Sequence, residues 1–255
     1  MGTPTRPRGP HAAGAGSRPA VPGGRPGQVS PPRPVLVPGL GLDRRSSARL
    51  RRLVDADVVV LPGMGQRGPV PTVDGLAGRL RAQLGAGPVV LVGHSQSCQV
   101  VAAAATDPRV AAVVLLGPTT DPRLRSVRGL VGRWLATAWA EPWWQVPLVL
   151  AQWLTTGPRA MAALWRQAAP DPIAARLAAV AVPVTVVRGS RDRLCSPSFA
   201  AAVAAAAPHG RLVELPGAVH MTVQTHPRAV ADVLRAAQAG AVGEHGRNGG
   251  SGVSP

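Results

Sequence analysis

Six short apolar runs constrain this chain more than any other feature. Val35–Val37, Val58–Leu61, Val89–Val92, Ala112–Leu116, Val184–Val187 and Leu212–Leu215 are rich in Val and Leu, and most lack polar alternation. A strand with one face in water alternates apolar and polar side chains, so a strand without alternation is expected to be covered on both faces, as in a parallel sheet. Between the runs, Thr72–Leu84, Gln96–Ala105, Ser198–Ala206 and Pro227–Ala237 read as helices. Strand–helix alternation of this kind implies an α/β fold: a mostly parallel sheet of about six strands, with helices on both faces and right-handed crossovers.

One segment breaks the rhythm. Residues 119–180 lie between two strands and are too long for a single crossover, and they hold all six tryptophans: Trp134, Trp139, Trp143, Trp144, Trp153 and Trp165. A helical cap inserted into the sheet accounts for them. Its large side chains either face a ligand pocket, as in a lid, or make the cap's own core; two or three are expected at a ligand. The sheet core then comprises residues 34–118 and 181–238. The chain has 255 residues, 45% of them hydrophobic, which is enough for one sizeable core filled mainly by Ala, Val and Leu. Residues 1–33, rich in Pro and Gly and charged only by arginine, cannot bury enough apolar surface to offset ordering entropy and read as a disordered tail. Residues 239–255, Gly-rich and polar, read the same way.

The formal net charge is +16, and every Lys+Arg position is arginine. Together with the abundance of Ala, Gly and Pro, this suggests a GC-rich coding bias, which explains part of the charge. No basic stripe interleaved with aromatics is present, so nucleic acid is not an expected partner. Cys98 and Cys195 have no motif spacing and read as small core residues rather than a disulfide framework, and no Cys/His spacing suits a metal. Nothing near Met1 resembles a signal peptide. The apolar stretch from Leu135 to Leu154 is broken by Glu141, Pro142 and Pro147, a poor membrane span. A cytoplasmic protein, monomer or homodimer, without stable membrane insertion, is expected.

The chemistry is carried after the third run. Gly93-His94-Ser95-Gln96-Ser97 follows the buried strand and leads directly into an Ala-rich helix. A nucleophile on so sharp a turn sits in strained backbone, and the residues two places to either side must be small. The turn also sets the helix N-terminus under the serine, where free N–H groups can stabilise an oxyanion. Ser95 is therefore the candidate nucleophile. His94 and His226 read as packing or surface residues.

On this elbow and its placement, the chain resembles the α/β-hydrolase family over nearly all of residues 34–238. The family pattern is Gly-x-Ser-x-Gly, and here Ser97 stands at the last position. The family's chain order of nucleophile, acid and histidine implies further roles. Arg188-Gly189-Ser190-Arg191-Asp192 is similar to the acid loop, which implies Asp192 as the acid; Asp121, at another sheet-top position, is the alternative. Gly217-Ala218-Val219-His220 is similar to the histidine loop, which implies His220 as general base. Pro38-Gly39-Leu40-Gly41 resembles the family's oxyanion loop with Pro in place of His, which implies the backbone N–H groups of Leu40 and Gln96 as the oxyanion donors. Trp139, Trp143, Trp144 and Met221 are candidate substrate contacts. Such folds usually open with an antiparallel hairpin, and the Pro/Gly-rich tail leaves no pattern for one, so a truncated six-stranded sheet is expected.

The resemblance implies a serine hydrolase acting on a small to medium ester through an acyl-serine intermediate, with neither metal nor organic cofactor required. The same machinery serves thioesterases, acyltransferases and C–C bond hydrolases, and a non-catalytic ligand-binding member of the fold is the alternative of another class. Arg44, Arg45, Arg49, Arg51 and Arg52 follow the oxyanion loop; they read as a solvated face or as a landing site for a carrier-bound acyl group.

Overall fold

The computed structural model describes residues 31–122, Gly132, Trp139 and residues 141–248. Strand β1 (Arg33–Val37) is followed by β2 (Asp57–Val58), by a separate two-stranded pair β3 (Leu61–Pro62) and β4 (Gly65–Gln66), and by helix α1 (Val73–Arg81). Then come β5 (Val89–His94), α2 (Ser97–Ala104) and β6 (Val110–Leu116). The stretch between β6 and β7 contributes α3 (Val146–Thr156), α4 (Pro158–Ala168) and α5 (Ile173–Leu177). The chain closes with β7 (Val184–Gly189), α6 (Pro197–Ala205), β8 (Gly210–Leu215), α7 (Thr222–Thr225) and α8 (Pro227–Asn248). The six-stranded sheet has the order β2-β1-β5-β6-β7-β8, and every neighbouring pair is parallel.

The missing polar alternation has the expected physical meaning. Along each central strand, successive side chains enter two different cores. Val35, Val37, Leu91, Val113, Leu115, Val184 and Val186 pack with α1, α2 and α6, while Leu36, Val90, Val92, Val114, Leu116 and Val187 pack with α8. Both faces of the sheet are thus covered by helices. Cys98 and Cys195 are free, buried thiols within the first of these cores, and burial raises the pKa of both.

Two segments differ from the sequence expectation. The run Val58–Leu61 is split: only Asp57–Val58 joins the sheet, while Leu61 turns back on Met64 through Gly63, whose φ of 81° is open to glycine. Pro62 has no N–H to extend a ladder. Helix α8 runs past Ala237 to Asn248, because Leu234, Ala237 and Ala241 continue one buried stripe against the sheet. Trp134, residues 1–30 and residues 249–255 lie outside the described residues. Among the described residues, no helix is long and apolar enough to cross a membrane.

The register positions the site. Val37 pairs with Gly93, His94 with Leu116, Leu116 with Val187, and Gly189 with Leu215, so the strands finish along one edge of the sheet. From β1 the chain goes outward to β2, then returns through β5 and runs the other way. The crevice beyond the ends of β1 and β5 is therefore the topological switch point, where open α/β sheets bind ligands.

Candidate active site

Ser95 stands at the end of β5 with φ 56°, and no other non-glycine among the described residues has positive φ. Such a conformation costs about 1–3 kcal/mol and persists only where the surroundings enforce it. Here they do. The Ser95 N–H donates to the Leu116 carbonyl at 2.8 Å, and the Cys98 N–H donates to the Ser95 carbonyl at 3.1 Å. Gly93 has no room for a side chain, since a Cβ there would lie 3.0 Å from Cys98 Cα. From Val89 to Ala105 every residue is buried except Ser95.

Ser97, the departure from the glycine pattern, is fully buried yet fully used. Its Oγ accepts the His94 N–H at 2.8 Å and lies 2.7 Å from the Val37 carbonyl, to which it donates. The hydroxyl thus ties the elbow to the end of β1, across the switch point.

The loop after β1 lies directly on the elbow: a Cβ at Gly39 would be 3.2 Å from Ser95 Cβ. The Leu42 N–H returns to the Gly39 carbonyl at 3.0 Å, closing a tight turn around Leu40, itself partly exposed. Helix α3 clamps this loop from the stretch between β6 and β7. The Gln152 Oε1 accepts the Asp43 N–H at 2.8 Å, and the Thr156 Oγ1 donates to the Gly41 carbonyl at 3.0 Å. Trp153 covers Gly41, where a Cβ would lie 2.6 Å from the indole. Sequence reasoning did not single out Gln152 or Thr156, because nothing local distinguishes polar residues that cap a loop in another segment.

His220 and Asp192 meet. The His220 Nδ1 donates to Asp192 Oδ2 at 2.8 Å, which leaves the lone pair on Nε2, and Nε2 is buried without a hydrogen-bond partner among the described residues. Gly117 leaves the space for this pair; a Cβ there would be 3.1 Å from both Asp192 Oδ2 and His220 Nδ1. The other carboxylate oxygen, Oδ1, accepts the N–H groups of Leu194 at 2.8 Å and Cys195 at 3.0 Å. Burial pushes the Asp192 carboxyl up, but the His220 charge, its hydrogen bond and these two N–H groups outweigh burial and hold it below the ordinary value. Burial pushes the His220 imidazole down, and the Asp192 charge and hydrogen bond, with the Glu141 charge, outweigh it, so its pKa stands above 6.5.

Arg188, buried at the end of β7, braces the acid loop. Its Nε donates to the Cys195 carbonyl at 2.8 Å and one terminal nitrogen to the carbonyls of Asp192 at 3.1 Å and Ser190 at 3.3 Å, while the guanidinium pairs with Glu214. Asp121, the alternative acid, accepts the Ser196 Oγ at 2.6 Å, at the start of α6. A hollow of about 510 Å³ opens on the loop after β7, lined by Arg188, Arg191, Asp192, Arg193, Ser196 and neighbours; neither Ser95 nor His220 lines it.

His94 is buried rather than superficial. Its Nε2 donates to the His220 carbonyl at 3.2 Å, and the two rings stand 5.3 Å apart. Burial and the neighbouring His220 charge push its pKa down to about 4, so it is neutral at pH 7. His226 is half-buried, with Nδ1 3.0 Å from Thr225 Oγ1. Of the candidate substrate contacts, Met221 is buried beside His220, and Trp144 lies half-buried beneath the Arg49 guanidinium at 4.1 Å. Trp139 and Trp143 are 95% and 83% exposed. The arginines of the segment that follows the Gly39–Leu42 turn are largely engaged within the chain. Arg45 pairs with Asp43 and bonds Thr155, Arg49 reaches the Gln224 carbonyl, and Arg51 the Ala56 carbonyl. Among the described residues, no group of His, Cys, Asp and Glu has a metal-binding arrangement.

The family model for the alpha/beta hydrolase family matches residues 35–233, spanning every sheet strand after the first residues of β1 and the first turns of α8. The chain belongs to the alpha/beta hydrolase family. Solved structures agree on the fold of this hydrolase. A thermophilic esterase from Thermogutta terrifontis, with malate bound, superposes with a TM-score of 0.62 at 21% identity, covering 82% of this chain and 90% of its own. A hydrolase from Oleispira antarctica gives 0.68 at 15% identity over 82% and 92%. Esterase RhEst1 from Rhodococcus sp. ECU1013 gives 0.59 at 20% over 83% and 92%. At these identities the likeness concerns the fold alone. Among curated proteins, none matches the chain.

Proposed function

We propose that this alpha/beta hydrolase is a serine hydrolase that cleaves a small to medium ester through an acyl-Ser95 intermediate. The observation that carries the reading is the Asp192–His220 pair at 2.8 Å, with Nε2 left unpartnered at the same sheet edge as the strained, partly exposed Ser95. In the proposed reaction Ser95 Oγ attacks the ester carbonyl carbon as its proton passes to His220 Nε2. The oxyanion is held by the N–H groups of Leu40 and Gln96, and Asp192 stabilises the imidazolium. Collapse breaks the C–O bond, and the alcohol departs with the proton from Nε2. Water then repeats the sequence, with His220 as base, and releases the acid.

Esterases from Thermogutta terrifontis and Rhodococcus are among the solved structures that share this fold, so esters head the substrates to be tried. The carrier alternative is weakened by the arginines, since Arg45, Arg49 and Arg51 already bond within the chain. A panel of p-nitrophenyl esters, acyl thioesters and diketones run on the purified protein tests the reading. Turnover is expected on short to medium esters, lost in Ser95→Ala. Cleavage confined to thioesters or diketones would replace the ester assignment, and equal turnover by Ser95→Ala would remove the mechanism.

A further inference from the structure

The mechanism leaves one carboxylate at the site without a role. Glu141 belongs to the cap, where the chain approaches a short 3-10 turn at Trp143–Gln145. Its Oε1 accepts the N–H of Met221 at 2.8 Å, the residue that directly follows His220, and its Oε2 accepts the Gln145 Nε2 at 3.0 Å. The carboxylate therefore joins two segments 80 residues apart in sequence, and one of them is the loop that presents the base. Satisfying one main-chain N–H does not require a charge. A water or a neutral side chain would serve, and a partly buried carboxylate near anionic Asp192 is a costly choice unless a cation compensates it. The cation available there is the imidazolium that His220 becomes each time it takes the proton from Ser95.

Resting on the serine-hydrolase reading above, we propose that Glu141 is a positioning residue that holds the His220 loop from the cap and sets a second negative charge against the imidazole. The electrostatics agree in direction. Burial raises the Glu141 carboxyl, against the Met221 N–H, the His220 charge and the Gln145 amide, and the Glu141 charge in turn favours protonated His220. The groups facing His220 are Asp192 from the acid loop, His94 from the elbow and Glu141 from the cap, and Arg49 reaches the following turn through the Gln224 carbonyl.

Two variants separate the charge from the tether. Glu141→Gln keeps an oxygen for the Met221 N–H and removes the charge; Glu141→Asp keeps the charge and retracts the tether by one methylene. The readout is the His220 pKa from NMR titration of the imidazole, which needs no turnover, together with the acid limb of kcat/KM. Glu141→Gln is expected to lower the His220 pKa by about one pH unit and to move the acid limb down with it. At alkaline pH its kcat should fall roughly threefold to tenfold, as base strength enters the proton-transfer step, with KM little changed. Glu141→Asp should keep a His220 pKa near wild type. An unmoved His220 pKa in Glu141→Gln, or an equal fall in both variants, overturns the inference while leaving the hydrolase reading intact if wild-type Ser95 is still labelled by a fluorophosphonate. Wild type that is never labelled overturns both.

Discussion

Ser97 shows how a single atom can carry a family's departure from its own pattern. Its hydroxyl joins the His94 N–H and the Val37 carbonyl at a fully buried position. Ser97→Ala should therefore destabilise the fold by about 1–3 kcal/mol, the cost of stranding buried polar groups, measured by urea unfolding. A change indistinguishable from zero would mean that the elbow does not need this tie. The acid is tested in the same way. Asp192→Asn should lower kcat by roughly 10³–10⁴-fold, because an amide cannot enforce the tautomer with its lone pair on Nε2, whereas Asp121→Asn, which alters a bond to Ser196, should cost far less. A larger loss from Asp121→Asn reverses the assignment. The pH dependence follows from His220. Its folded-state pKa stands above 6.5, so the neutral base fills in only above that value, and kcat/KM should rise through a midpoint higher than 6.5. The same sign governs stability: the imidazolium–Asp192 contribution is complete below the unfolded pKa and is lost as pH rises through the folded one. A midpoint below 6.5 contradicts the geometry. Ser95 was legible in the sequence because a strained turn restricts its neighbours to small residues. Glu141 was not, because its partners lie in a loop far along the chain and leave no local spacing.

At the scale of elements, the site is an assembly of loops held by braces that come from elsewhere. Arg188 holds the acid loop through the carbonyls of Ser190, Asp192 and Cys195. Arg188→Met removes these bonds and strands the carbonyls, so a loss of about 2–4 kcal/mol is expected, with kcat falling because Asp192 is no longer held. Unchanged urea stability would show that the loop holds itself. The stretch between β6 and β7 divides between what could and could not be read. Its length calls for structure of its own, and α3, α4 and α5 lie in its described part. The orientation of its tryptophans could not be read, since an amphipathic pattern gives the faces of a helix but not what lies against each face. Trp153 sits on Gly41 in the loop after β1 and Trp144 under Arg49, while Trp143 is turned outward. Likewise, the broken strand after Val58 depended on Pro62 and Gly63, two residues that end ladders in ways hydropathy alone does not register.

For the whole molecule, the order β2-β1-β5-β6-β7-β8 explains why Ser95, Asp192 and His220 lie at one edge of the sheet although they come from separate segments. A parallel sheet ends all of its strands on one edge, and reversal of direction at β1 and β5 opens a crevice there. That much was readable from unalternating Val/Leu runs, since only a sheet covered on both faces makes them stable. The substrate was not readable, because fold and machinery are shared among many acyl compounds. What stands or falls first is the nucleophile. The purified protein should be treated with a fluorophosphonate probe, digested, and mapped by peptide mass. We expect a single adduct on Ser95, absent in Ser95→Ala and strongly slowed in His220→Ala. An unlabelled wild type, under conditions that label a known serine hydrolase, or an adduct elsewhere in the chain, would contradict the account.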